Sequence, residues 1–294
     1  MYDQSVELIL SQKAKSLWEL FLMKEENFGH VNRMQYMDSI EMHIQNCWEG
    51  ALKTVNSISL EFGDGAPKNI LEIGCSTGII SFACQASYPG SNVYGIEPEN
   101  EAVEVAKSMS LESSIKSPEF LCGVGENLPF KENTFDLVIC HTVIEHVENV
   151  DNVIKEIARV LNIGGVCHLD APNYIFPYEP HLGIYTLPLL GKNFVRLTAI
   201  IQGKGKHTNF LGHLKFVTPF VLEKSLKKYN LTWTNRAHNK ITNLISGSEN
   251  VKKYKYAETI LRFAHKLNFS WFFYILITKF KMYPSLLYTV IKVK

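Results

Sequence analysis

The stretch Asn69 to Gly78, Asn-Ile-Leu-Glu-Ile-Gly-Cys-Ser-Thr-Gly, followed by Tyr94-Gly-Ile-Glu97, constrains this chain more than any other. Ile70, Leu71 and Ile73 form a short apolar run that can be buried on both faces, as an interior parallel strand requires. Gly74 and Gly78 bracket a loop where missing side chains let the backbone turn sharply and approach a ligand. Ile79 to Ala86 then read as a helix whose first N–H groups face that loop. A second strand, Val93 to Ile96, ends in Glu97, 19 residues beyond Gly78, a separation at which a carboxylate reaches ribose hydroxyls. Together these features describe a nucleotide-binding crossover. The spacing Gly-x-x-x-Gly lacks the third close backbone approach of pyrophosphate-binding loops, so the expected ligand carries no diphosphate.

Leu71-Glu72-Ile73-Gly74-Cys75-Ser76-Thr77-Gly78 resembles motif I of the class I S-adenosylmethionine-dependent methyltransferases, and Glu97 matches their ribose-binding acid. The likeness continues through Glu126-Asn127-Leu128-Pro129-Phe130, Phe135-Asp136-Leu137-Val138, Ile144-Glu145-His146-Val147 and Leu161-Asn162-Ile163-Gly164-Gly165 in family order, covering roughly Asn69 to Tyr174. The resemblance implies an α/β, Rossmann-like seven-stranded sheet, mostly parallel with an antiparallel last strand, and S-adenosyl-L-methionine as cofactor.

At 294 residues with 46% hydrophobic content, the chain can supply one α/β domain with decorations. No N-terminal signal is visible, and six cysteines without a C-x-x-C pair read as reduced, cytoplasmic and not metal-bound. The net charge of +1 hides a polarity: residues 1–190 hold 11 Lys and Arg against 26 Asp and Glu, whereas residues 191–294 hold 19 against 3. The basic third either faces something anionic, such as lipid headgroups, a phosphorylated carrier or nucleic acid, or neutralises the acidic core.

Residues 1–62 read as helical, with apolar residues at helical spacing (Val6, Leu8, Ile9; Leu17, Leu20, Phe21; Ile40, Ile44, Trp48, Leu52), and the resemblance implies a cap over the cofactor. Residues 63–174 form the core, with strands expected near 69–73, 92–96, 119–122, 135–140 and 165–170 and helices near 79–87, 99–109 and 149–161. Residues 175–239 hold an acceptor-side insert, a helix opened by Thr218-Pro219 and a sixth strand. Residues 240–283 read as a basic, apolar helical insertion, and 284–294 as the final strand. The run Leu267 to Ile277, flanked by Lys252, Lys253, Lys255, Arg262, Lys266, Lys279 and Lys281, is too short to span a bilayer of about 20 residues. It suits either an interfacial helix on anionic lipid or a helix pair over the sheet.

The resemblance places Glu72, Gly74, Cys75, Gly78, Glu97 and Pro98 around the methionine and ribose portions of the cofactor. Family members usually carry an acid for adenine where Val124 stands, so Gly125, Glu126 and Asn127 would have to substitute. His141, at the end of the fourth strand, would border the cofactor and either deprotonate an acceptor hydroxyl or pack beneath the donor. The acceptor side is expected to use Asn173, Tyr174, His181, Tyr185 and His213. The element around Glu145-His146 resembles the Glu-x-x-Glu-His of ubiquinone-pathway O-methyltransferases, but Thr142 replaces the first acid, which lowers the quinone reading and leaves no metal expected. The segments Pro172-Asn-Tyr, Tyr178-Glu-Pro-His-Leu-Gly and Phe216-Val-Thr-Pro219 resemble bacterial methyltransferases of surface-glycan assembly. An Asn/Asp-Pro-Pro-Tyr/Phe motif is missing after the fourth strand, so DNA is not an expected partner.

These residues imply O-methylation of a small-molecule, glycan or lipid-linked acceptor, in the cytoplasm or peripherally on an anionic membrane face. An RNA methyltransferase using the basic third and a non-catalytic Rossmann-like binding module are the alternatives.

Overall fold

The computed structural model describes residues 8–27, 39–62, 65–111, 115–237, 275 and 279–293. All of the lysine-flanked run Leu267 to Ile277 but residue 275, and most of the 240–283 insertion, lie outside these residues.

The expected strand–helix alternation is present: β2 (Asn69–Ile73), α3 (Ile79–Ser87), β3 (Asn92–Glu97), α4 (Asn100–Lys107), β5 (Glu119–Cys122), β6 (Phe135–His141), α5 (Val150–Val160) and β7 (Leu161–Pro172). They are followed by α6 (Lys192–Ile201), α7 (Pro219–Lys228), β10 (Leu231–Asn235) and β11 (Ser285–Lys292). One seven-stranded sheet runs in the order β10-β11-β7-β6-β2-β3-β5, with β11 antiparallel to both its neighbours and the other pairs parallel. This is the mostly parallel, Rossmann-like seven-stranded sheet that the resemblance implies. Ile70, Leu71, Leu137 and Val138 are buried because each sheet face carries a helical layer. Val153, Ile157, Leu222 and Leu226 of α5 and α7 join the core on one face. Phe82, Val103, Trp18, Ile44 and Trp48 fill the other, the last three from α1 (Gln12–Asn27) and α2 (Ile40–Phe62).

Two expectations need correction. Leu8 and Ile9, read as helical, belong to a strand, β1 (Leu8–Leu10), paired antiparallel with β4 (Met109–Leu111). Helix α4 correspondingly stops at Lys107 rather than 109. Short apolar runs do not distinguish strand from helix by periodicity, and here the cross-chain pairing decided. The insert after β7 is more ordered than its composition suggests: β8 (Tyr178–Glu179) and β9 (Ile184–Tyr185) make a small hairpin, packed with α6 around Leu182, Ile184, Val195, Ala199 and Phe210.

Candidate active site

Because the inner strands are parallel, the carboxyl ends of β2, β3, β5 and β6 collect Gly74, Glu97, Gly123 and His141 along one sheet edge, where open α/β sheets bind ligands. The loop after β2 is held in left-handed conformations at Gly74 (φ 67°), Ser76 (φ 47°) and Gly78 (φ 77°). Gly74 and Cys75 donate to the Ile96 carbonyl at 2.8 and 3.1 Å, and Ser76 N–H donates to Glu97 Oε2 at 2.9 Å. Glu97 Oε1 accepts from Glu99 N–H at 3.1 Å, fixing the carboxylate at the mouth of the loop. Cys75 is buried, with its thiol pKa raised first by desolvation, and Pro98 is exposed.

Glu72 is turned away from solvent and accepts from Ser81 Oγ at 2.5 Å. Burial, against these hydrogen bonds, pushes its carboxyl to about 8, so it is neutral at pH 7 and braces the start of α3 from below. Glu126 Oε1 accepts from Glu148 and Asn149 N–H at 2.8 and 3.2 Å, so that oxygen is committed to the entry of α5. Asn127 is exposed. The Asn-Leu-Pro-Phe run owes its form to α5: Glu156 accepts from Leu128 N–H at 2.8 Å, and Arg159 donates to the Leu128 and Phe130 carbonyls at 3.0 and 2.7 Å.

On the acceptor side, His141 Nδ1 lies 3.6 Å from Asp170 Oδ2, and its ring stacks on His168 at 6.4 Å between centroids. Burial, more than the opposing Asp170, lowers its pKa, so the imidazole is neutral at pH 7. Glu145 is fully buried, and neither carboxylate oxygen has a hydrogen-bond partner among the described residues beyond a contact with its own backbone. Desolvation raises its pKa to about 7. His181 Nδ1 sits 2.6 Å from Glu179 Oε1, and its ring meets that of His146 edge-on at 5.4 Å. Glu145, His146 and His181 offer ligand atoms all within 4.8 Å of one another, a donor set with the chemistry of a divalent-cation site. No metal is expected from the sequence, where Thr142 replaces the first acid of the motif; His181 joins Glu145 and His146 from the insert, a proximity that spacing along the chain does not reveal.

Among the expected acceptor residues, Tyr174 is buried with its hydroxyl unpartnered among the described residues, its ring stacked on Phe216 at 4.4 Å. Asn173 must be reassigned: its amide donates to the Lys281 and Tyr283 carbonyls at 2.8 and 2.7 Å and accepts from Ile175 N–H, so it ties the insert to the final strand instead of facing an acceptor. Tyr185 and His213 are exposed.

Residues 71–169 match the family model described as a methyltransferase domain. These residues thus form a methyltransferase domain. An uncharacterised protein of Mycobacterium tuberculosis is 31% identical over 120 residues, 40% of either chain. The demethylmenaquinone methyltransferase of Lactococcus lactis is 33% identical over 141 residues, 46% of this chain and 56% of its own. The ubiquinone biosynthesis O-methyltransferase of Hydrogenovibrio crunogenus is 26% identical over 186 residues, 62% of this chain and 71% of its own. The chain thus spans about half the length, or less, of the mycobacterial and lactococcal relatives. The cofactor of the methyltransferase domain is S-adenosylmethionine, and the residues at the strand ends fit it. The buried Glu97 carboxylate suits ribose hydroxyls, and glycines stand where a Cβ would strike the packed neighbours Val143, Phe120 and Ile73.

The Glu145 carboxyl gives a pH test of this site. Its folded pKa of about 7 lies above the usual 4.5, so its neutral form contributes stability that is fully present below pH 4.5 and lost as pH rises through 7. Glu145→Gln, which cannot ionise, is expected to flatten the fall in melting temperature of the ligand-free protein between pH 5 and 8. Unchanged pH dependence in the variant would place another group behind that fall.

Proposed function

We propose that this chain transfers the methyl group of S-adenosylmethionine to an oxygen of a small-molecule, glycan or lipid-linked acceptor, in the cytoplasm or at the cytoplasmic face of a membrane. The observation that carries this reading is the polar acceptor-side cluster beyond β6 and β7. There, among the described residues, the Glu145 carboxyl and the Tyr174 hydroxyl are buried without a hydrogen-bond partner, Glu145 with His146 Nε2 3.9 Å from its Oε1. Unpaired buried polar groups cost about 1–3 kcal/mol each, and an acceptor bearing hydroxyls would satisfy them.

When bound, S-adenosylmethionine would supply an electrophilic sulfonium methyl group, which an acceptor oxygen would take by in-line attack as the C–S bond breaks and the neutral thioether leaves. The chain's own task is to hold the reactants and exclude water. His141 is held neutral by burial and lies beside Asp170, which would stabilise the imidazolium formed when it takes the acceptor proton. Relatives named for quinone methylation act at carbon or at oxygen. An imidazole with a carboxylate neighbour at the strand end favours oxygen here.

His141→Gln is expected to lower kcat by about 100- to 1000-fold, with donor affinity within about threefold of the parent. Isotope-labelled donor, host-extract acceptor and donor calorimetry read the two effects separately. A variant retaining full kcat would remove His141 as the base.

A further inference from the structure

We infer that α6 and the turn before it form a docking face for an anionic bilayer surface, and that the acceptor is accordingly a lipid-linked molecule presented at the membrane interface. The second clause rests on the proposed methyl transfer; the first does not.

Val195 and Ala199, four residues apart on α6, are buried against the insert's own small core. Leu197, Ile200 and Ile201 occupy another face and are 53–74% exposed. The one-turn 3-10 helix Pro188–Leu190 adds Leu189 and Leu190, 67% and 60% exposed. Isolated exposed leucines are ordinary, but five large aliphatic side chains within 13 residues form a patch that water does not favour.

The charge around this patch identifies its occupant. From residue 180 to residue 222 there is no Asp or Glu, whereas Lys192, Arg196, Lys204, Lys206 and Lys215 fall in that span. Lys192 donates to the Gly212 carbonyl at 2.7 Å, and its pKa is lowered by burial and then by Lys215 and Arg196, so three of these cations crowd together. An apolar stripe within a chain segment that is acid-free and cationic has the composition of a helix lying in a headgroup layer, where chains enter the acyl boundary and lysines meet anionic lipid. Among the described residues no helix is long and apolar enough to cross a membrane, which fits attachment in the interface plane.

The same insert reaches the candidate active site from its other side. Phe210, in the small core under α6, packs on the His181 ring at 5.6 Å, and Lys215 N–H donates to the Glu145 carbonyl at 2.6 Å. A surface seated on α6 therefore lies one layer of side chains from the acceptor cluster, which suits a reactive headgroup whose lipid stays in the bilayer.

Flotation with phosphatidylcholine vesicles, with and without phosphatidylglycerol, tests the docking. The protein should float with the anionic vesicles, lose binding in high salt, and bind pure phosphatidylcholine weakly. The triple variant Leu197→Ser/Ile200→Ser/Ile201→Ser should bind anionic vesicles at least about tenfold more weakly. Its melting temperature and donor affinity should be near the parent's, since these side chains are exposed. Parent protein that stays in the pellet, or a triple variant that floats as well as the parent, overturns the docking. A concentration-dependent dimer in sedimentation, abolished by the triple variant, would assign the face to a second copy and overturn it too. Donor titration by calorimetry judges the methyltransferase reading independently. Label from the donor should enter the organic phase of a membrane extract; label confined to water-soluble products would refute the lipid-linked acceptor.

Discussion

Glu97→Gln is expected to weaken S-adenosylmethionine binding by about 2–3 kcal/mol, roughly 30- to 150-fold, in an isothermal titration. Both oxygens of Glu97 now accept backbone N–H groups, from Ser76 at 2.9 Å and Glu99 at 3.1 Å. A carboxylate has lone pairs left for ribose hydroxyls after these two bonds; the amide of Gln offers one accepting oxygen and turns an N–H2 toward a second donor. The substitution therefore removes a charge-assisted contact to ribose and loosens the loop that carries Ser76. The demethylated product shares the ribose, so its affinity should fall by a similar factor. Glu97→Asp keeps the charge but withdraws it by one methylene, and its loss should fall between parent and Gln. A Glu97→Gln protein binding donor within about threefold of the parent would mean that the end of β3 does not hold the nucleoside.

The parts of this site that could be read from the sequence are those whose physics is local. The doubly buried run at β2, the glycines after it and an acid closing β3 each follow from backbone geometry within a few residues, and the structure has β2 at Asn69–Ile73 and β3 ending at Glu97. The parts that could not be read depend on partners far along the chain. The resemblance sets Glu72 beside the cofactor, but Ser81 on the following helix takes its carboxyl into the protein interior. Asn173 looked like an acceptor residue because it follows a strand end, but its amide is consumed by carbonyls more than 100 residues away. Glu145 and His146 were visible as a motif, yet His181 and Glu179 reach them only because the insert folds back over the end of β6. A side chain's hydrogen-bonding capacity is visible in sequence; whether tertiary neighbours have already used it is not.

Gly74→Ala is expected to destabilise the fold by about 2–5 kcal/mol, lowering the melting temperature by roughly 5–15 °C. Two separate costs add. Gly74 has φ of 67°, and an L side chain in the left-handed region costs about 1–2 kcal/mol. A Cβ built at Gly74 would also stand 2.4 Å from Val143 Cγ2 and 3.0 Å from Cγ1, and relieving such overpacking costs about 1–3 kcal/mol. Val143 packs against the main core and lies on the loop between His141 and Glu145, so movement there disturbs the donor and acceptor sides together. The two costs separate in a double-mutant cycle. Val143→Ala removes both clashing methyls and leaves only its Cβ, 3.3 Å from the new one, so Gly74→Ala in that background should cost about 1–2 kcal/mol, the conformational part alone. Equal losses in both backgrounds would show that the β2 loop shifts as a unit and that contact with Val143 does not fix its path. A Gly74→Ala protein as stable as the parent would contradict the left-handed turn itself.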